Sequence, residues 1–228
     1  MLVASILLGV AFMRWFILLL FLACRVEGRE MEELSKNPKV YLIRNFLSDS
    51  ECDYLISYAK PKLEPSKVAY QHDGQPRPNK NRTSSHMYCP YNHGDVILLS
   101  IEKRITELTS IPHSHGENIQ IAHYAVGAEY VAHYDSFDLN TPGGAIYGKT
   151  GGQRKATFLM YLNTPEKGGS TYFPKVRVNI TPVKGNAILF YNVDDTGKVD
   201  LLSLHGGAPV LAGEKWIATR WLRERPFK

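Results

Sequence analysis

From Ile119 to Leu222 the chain alternates apolar and polar residues in short runs parted by turn residues, the period of half-buried strands. The runs are Ile119 to Val126, Glu129 to Asp135, Arg154 to Leu162, Gly169 to Phe173, Val176 to Thr181, Ala187 to Asn192, Ser203 to Leu204 and Trp216 to Leu222. Val40 to Ile43 reads as a further short strand. Upstream the period changes to that of helices. Ser48-Asp49-Ser50-Glu51 is a capping-box pattern that opens a helix through about Ala59, with Cys52, Leu55, Ile56 and Ala59 on one face. A second helix is predicted from about Asp95 to Leu108. Leu98, Ile101, Ile105 and Leu108 form its buried face, and Glu102, Lys103, Arg104 and Glu107 its exposed one. About eight short strands after two helices predict an α+β fold, a double-stranded β-helix or jelly roll buttressed by N-terminal helices.

Three stretches fall outside these patterns. Arg29 to Lys39 reads as a polar link, so the folded domain is expected over residues 40–228. Val68 to Tyr91 and Ser136 to Gln153 are polar and rich in Gly and Pro. Loops this long in a compact domain are commonly functional, and both are expected to be mobile covers that close over a bound partner. The second contains Gly143-Gly144-Ala145-Ile146-Tyr147-Gly148-Lys149-Thr150, which matches a phosphate-binding P-loop letter for letter. That motif needs a strand before it and a helix after it, whereas Asn140-Thr141-Pro142 precedes it and a strand-like run follows. It is therefore read as a mobile loop.

Composition adds the compartment. Leu2 to Cys24 is apolar except for Ser5 and Arg14. Residues 1–28 are either a signal-anchor, which associates the chain with a membrane, or a cleaved signal peptide starting at Met13-Arg14. Arg14 counts against the spanning reading, because a central charge is costly in lipid. Both readings send the chain into the secretory pathway, membrane-anchored or luminal in the endoplasmic reticulum. Cys52 and Cys89 could pair there or remain free thiols. Asn81-Arg82-Thr83 and Asn179-Ile180-Thr181 match the glycosylation acceptor pattern. A net charge of +5 with scattered basic residues is that of a solvated surface, and no nucleic-acid partner is expected.

The candidate chemistry centres on His133-Tyr134-Asp135. In a strand, His133 and Asp135 point the same way. With a distant imidazole, His205, they make a 2-His-1-carboxylate set that leaves coordination positions open and suits non-haem Fe(II). Ten residues beyond His205, Lys215 begins a strand in which Lys215, Ile217, Thr219 and Trp221 share a face. A lysine buried there needs an anionic partner. His113-Ser114-His115 lacks a third ligand nearby and reads as a surface loop.

These residues, with Tyr124, Tyr130, Gly151-Gly152-Gln153-Arg154 and Gly168-Gly169-Ser170-Thr171, resemble the prolyl 4-hydroxylases of the Fe(II)- and 2-oxoglutarate-dependent dioxygenases, above all their compact plant, algal and viral type. The resemblance covers about Val40 to the C-terminus. Lys215, where many relatives place an arginine, favours prolyl hydroxylation. The resemblance implies Fe(II) on His133, Asp135 and His205, and 2-oxoglutarate on Lys215 with Tyr124 and Thr171. It also implies O₂ as oxidant, support by L-ascorbate, and a proline-rich or collagen-like peptide substrate in a groove lined by Tyr130, Arg154, Trp221 and Arg82. The implied reaction hydroxylates peptidyl proline at C4 and releases succinate and CO₂. Tyr130 lies three residues before His133, so it reaches the site only if its strand starts irregularly. The alternatives are a membrane-anchored jelly-roll binding module without turnover, and a dioxygenase acting on another substrate.

Overall fold

The computed structural model describes residues 24–26, 29–68, 70, 72–91 and 94–227. The apolar run of the signal-peptide or signal-anchor reading lies, up to residue 23, outside the described residues, among which no helix is long and apolar enough to cross a membrane. In chain order the elements are β1 (Cys24–Val26), β2 (Arg29–Lys36), β3 (Lys39–Ile43), α1 (Asp49–Ala59), β4 (Glu64–Pro65), β5 (Lys67–Val68), β6 (Arg77–Pro78), β7 (Ser85–Tyr88), α2 (Val96–Thr109) and β8 (Gln120–Tyr124). They continue with β9 (Tyr130–His133), α3 (Pro142–Lys149), β10 (Arg154–Tyr161), β11 (Lys167–Gly168), β12 (Thr171–Phe173), β13 (Val178–Ile180), β14 (Ala187–Tyr191), β15 (His205–Gly207), β16 (Val210–Ala212) and β17 (Lys215–Arg223).

A nine-stranded sheet ordered β1-β2-β3-β14-β10-β17-β8-β7-β4 and a four-stranded sheet ordered β13-β12-β15-β9 make up the jelly roll. Alternation gives the large sheet two apolar faces. Ala156, Phe158 and Met160 of β10, with Trp216, Ala218 and Leu222 of β17, pack against Cys52, Leu55 and Ala59 of α1 and Leu98, Ile101 and Ile105 of α2. Leu159 and Tyr161 of β10, Ile217 of β17, Ala122 and Tyr124 of β8, and Ile188 and Phe190 of β14 face inward onto Phe173 and Ile180 of the small sheet. The site lies on this inner face. Lys215 and Trp221 lie on the same side of β17 as Ile217, as alternation requires.

Both helices start where their caps predict. The Ser48 side chain accepts from Glu51 N–H while Glu51 reaches back to the Ser48 N–H, and Asp95 accepts from the Ile97 and Leu98 N–H groups. Other expectations change. Arg29 to Lys39 is not a link but β2 and the turn into β3, because its polar residues occupy a strand near the sheet edge. The Val68 to Tyr91 stretch gives its last part to β7, which pairs with β8 over four residues. The P-loop look-alike is the helix α3, not a mobile loop: Pro142 starts it and the Thr141 hydroxyl accepts from Gly144 N–H. Ser203 ends a short 3₁₀ turn, Leu201–Ser203, and the strand begins at His205 instead. Glu102 is buried rather than exposed, paired with Arg220 of β17 and with His113 Nε2 at 2.6 Å. Cys52 and Cys89 are free and buried, and burial pushes their thiols up to about 11 and about 12.

Candidate metal and co-substrate site

β9 and β15 are neighbours in the small sheet, with His133 opposite His205. The next pair is Tyr130 with Gly207, three residues along β9 against two along β15. This bulge answers the alternation problem at Tyr130: the extra residue returns its ring to the face of His133, where the rings stack at 3.5 Å between centroids and 15° between planes. Asp135, just beyond β9, completes the cluster. One ligand atom from each of His133, Asp135 and His205 lies within 4.8 Å of the other two. The Nε2 atoms of His133 and His205 each stand 3.6 Å from a carboxylate oxygen of Asp135, Oδ1 and Oδ2 respectively.

Both rings are oriented from behind. His133 Nδ1 lies 2.9 Å from the Val131 carbonyl and His205 Nδ1 2.9 Å from the Ser203 carbonyl. A carbonyl only accepts, so each Nδ1 carries a hydrogen, which fixes the ring and turns each Nε2 toward Asp135. Burial lowers His205 to about 4, which keeps its ring neutral near neutral pH. Burial alone would raise the Asp135 carboxyl, but His205 and His133 outweigh it and hold it well below the usual carboxylate range. Two imidazole nitrogens and one carboxylate are a donor set that fits a divalent transition metal.

Deeper between the sheets, Lys215 is 3% exposed. Its Nζ lies 5.5 Å from the centre of the Tyr124 ring and 5.9 Å from that of Tyr161. No carboxylate among the described residues pairs with it, and burial lowers it to about 7. The Tyr161 hydroxyl donates to Thr171 Oγ1 at 2.8 Å, so Lys215, Tyr124, Tyr161 and Thr171 form one polar nest in an apolar interior. Tyr161 was not among the sequence-predicted site residues. The alternation of β10, which puts Thr157, Leu159 and Tyr161 on one face, was the signal that could have found it. Gly207 lies against this nest, where an added Cβ would stand 3.7 Å from Lys215 Nζ.

The expected groove residues lie together on the outer side of the metal cluster. Arg82, Tyr130, Arg154 and Trp221 line one cavity with Tyr88, Tyr134, Asp135 and Phe137. Both guanidinium groups are already engaged. Arg82 donates to Ser84 Oγ at 3.1 Å and to Gln120 Oε1 at 2.7 Å, with its charge 4.9 Å from the Tyr130 ring. Arg154 forms a two-bond pair with Glu117, at 2.7 and 2.8 Å, and stacks 3.9 Å from the Trp221 ring. Past Tyr88, Phe137 and Arg154 the cavity continues into a groove of about 650 Å³ that adds Pro65, Pro76, Tyr147 and Phe227 to its walls. The two long polar segments, residues 72–84 and 136–153, meet beside it, where the Tyr147 hydroxyl donates to the Gly74 carbonyl at 2.8 Å. His113, with Glu102 and Tyr91 as neighbours, and His115, on the Arg223 carbonyl, join no metal cluster among the described residues.

A jelly roll carrying this donor set is the architecture of the 2OG-Fe(II) oxygenase superfamily, whose sequence profile matches residues 119–223. Within that class, the chain is 39% identical to probable prolyl 4-hydroxylase 3 of Arabidopsis thaliana, over 86% of this chain and 73% of that protein. It is also 39% identical to prolyl 4-hydroxylase 5 of the same plant, over 88% and 73%. Among solved structures it is similar to the viral collagen prolyl hydroxylase of Paramecium bursaria Chlorella virus-1 in its 2-oxoglutarate complex. That match has 34% identity and a TM-score of 0.63, over 81% of this chain and 95% of that one. The chain belongs to the prolyl 4-hydroxylase family of 2-oxoglutarate-dependent dioxygenases.

Proposed function

We propose that His133, Asp135 and His205 hold Fe(II), that Lys215 anchors 2-oxoglutarate, and that the aromatic groove presents C4 of a prolyl residue in a proline-rich or collagen-like peptide to that centre. The observation that carries this is the pairing of an open three-ligand cluster with a buried lysine that lacks an anionic partner among the described residues. The far carboxylate of 2-oxoglutarate is a partner of the right charge. Fe(II), when bound with 2-oxoglutarate and O₂, supplies the oxidation that yields hydroxylated proline, succinate and CO₂.

The chain's own residues do the binding and exclusion. Lys215 neutralises the co-substrate's far carboxylate, and the Tyr124 and Thr171 hydroxyls can donate hydrogen bonds to it, with Tyr161 donating to Thr171 Oγ1 behind them. Phe173 and Phe190, whose rings lie 5.6 and 4.5 Å from that of His205, keep water from the back of the site. Tyr130 and Trp221 offer flat faces to a prolyl ring. An extended peptide loses little entropy in such a groove, because polyproline II is its ordinary conformation. Arg154 and Arg82, fixed by Glu117 and Gln120, hold those aromatic faces in place and keep free N–H edges for peptide carbonyls. L-ascorbate would sustain turnover by keeping the metal ferrous. The apolar segment before β1 would deliver the domain of residues 40–228, with its β1–β2 extension, to the secretory pathway, where proline-rich proteins pass.

The test is succinate release with a proline-rich peptide. Release that requires Fe(II) and peptide together supports the reading. Peptide-independent release of the same rate would leave the groove without a role and favour another substrate.

A further inference from the structure

Thr157 is a buried hydroxyl on the inner face of β10, otherwise carried there by Leu159 and Tyr161. A polar group in such a place needs a partner, and its partner is the metal cluster. Thr157 Oγ1 donates to Asp135 Oδ2 at 2.6 Å. Behind it, Asn192 Nδ2 donates to Thr157 Oγ1 at 3.0 Å. The direction of this chain is set by chemistry. An ionised carboxylate only accepts, so the Thr157 hydrogen must point at Asp135, and its lone pairs then face a donor, the Asn192 amide.

Asn192 is a costly choice for mere packing. It is fully buried, and its side-chain carbonyl oxygen has no partner among the described residues. An apolar side chain of similar size would fill the space without that penalty. What Asn192 adds is one N–H, aimed from a rigid mount: its backbone N–H donates to the Lys155 carbonyl and its carbonyl accepts from Asp200 N–H, at 2.9 and 3.0 Å. Strand pairing fixes Thr157 as firmly, between Phe190 of β14 and Trp221 of β17.

We propose that Thr157 and Asn192 are positioning residues that engage Asp135 Oδ2, which also lies 3.6 Å from His205 Nε2, and so favour single-oxygen ligation through Oδ1. Single-oxygen ligation keeps a coordination position open that a two-oxygen carboxylate would fill. The relay thereby preserves the open positions on which the proposed function rests, and it holds the carboxylate in orientation before the metal arrives.

The experiment uses the full chain without co-substrate. Mn(II) affinity is read from the loss of the free-ion EPR signal, and coordination number from the Co(II) d–d absorption. Thr157→Val, which keeps shape and removes the donor, should weaken Mn(II) binding about 10- to 100-fold, the usual effect of losing an outer partner of a metal ligand. Its Co(II) spectrum should shift toward higher coordination. Thr157→Ser should restore both to near the parent, and Asn192→Leu, which frees the hydroxyl to rotate, should fall between. Parent-like affinity and spectrum in Thr157→Val, or equal loss in Thr157→Ser, would overturn the relay. If Thr157→Val fails to fold, Asn192→Leu decides: parent-like values overturn the proposal. His205→Ala separates this from the underlying site assignment, since Mn(II) binding unaffected by that change would dispose of the metal cluster itself.

Discussion

Lys215→Met removes the charge and keeps most of the volume, so it isolates what burying the ammonium costs. The side chain is nearly free of solvent and falls from its ordinary 10.5 to about 7 through burial. At 1.36 kcal/mol per pH unit, that difference is a cost of roughly 5 kcal/mol as a ceiling. The sign follows from proton counting. Below pH 7 both folded and unfolded chains carry the proton, and the full cost is present. Between about 7 and 10.5 the unfolded chain binds a proton the folded one lacks, so stability rises with pH. Above about 10.5 the cost is gone. Lys215→Met should therefore melt higher than the parent at pH 6, by most of that free energy, and the advantage should shrink steadily toward pH 10. Conversely, 2-oxoglutarate should stabilise the parent and leave the variant unmoved. Chemical denaturation across this pH range, with and without 2-oxoglutarate, reads all three effects. A variant no more stable than the parent at pH 6, or one still stabilised by 2-oxoglutarate, would refute the claim that this lysine waits for an anion.

Tyr161→Phe should raise the 2-oxoglutarate requirement about 5-fold by removing the donor that orients the Thr171 hydroxyl, with peptide KM unchanged; an unchanged co-substrate titration would exclude Tyr161 from the pocket. Glu102→Ala leaves Arg220 buried without its carboxylate and should cost about 3–5 kcal/mol in denaturant unfolding, whereas a loss under 1 kcal/mol (about the value of an exposed pair) would mean the pair is solvated. Hydrogen exchange in residues 72–84 and 136–153 should slow when a proline-rich peptide joins enzyme, metal and an unreactive co-substrate analogue. Tyr147→Phe, which cuts the hydrogen bond to Gly74, should speed peptide release, and identical exchange with and without peptide would remove the cover role from both segments.

What the sequence made legible was whatever periodicity and capping encode locally. The β10 and β17 runs, the caps at Ser48 and Asp95, and the shared face of Lys215 and Trp221 all follow from spacing alone. The elements it concealed depend on partners far along the chain. Glu102 looks exposed beside Lys103 and Arg104 until Arg220, more than a hundred positions later, comes to it. β2 and β7 read as polar connections because strands toward a sheet edge tolerate polar residues, and their pairing to β3 and β8 is invisible in composition. Tyr130 needed a bulge, which alternation cannot announce. Of the candidate site, His133, Asp135 and His205 could be read because two imidazoles and a carboxylate in this spacing make a ligand set, and Lys215 because a cation is rare in a strand this apolar. Thr157, Asn192 and Tyr161 were hidden because a hydroxyl or amide declares its role only through the group it touches.

The most direct test of the whole account is to locate the product. A synthetic proline-rich peptide is incubated with the enzyme, Fe(II), 2-oxoglutarate and O₂, and each residue is then read by fragment mass spectrometry and amino-acid analysis. The account predicts one added oxygen on proline, recovered as 4-hydroxyproline in step with succinate, and none with His205→Ala. Succinate formed by the parent without hydroxylated proline, or 4-hydroxyproline still formed by His205→Ala, would contradict it.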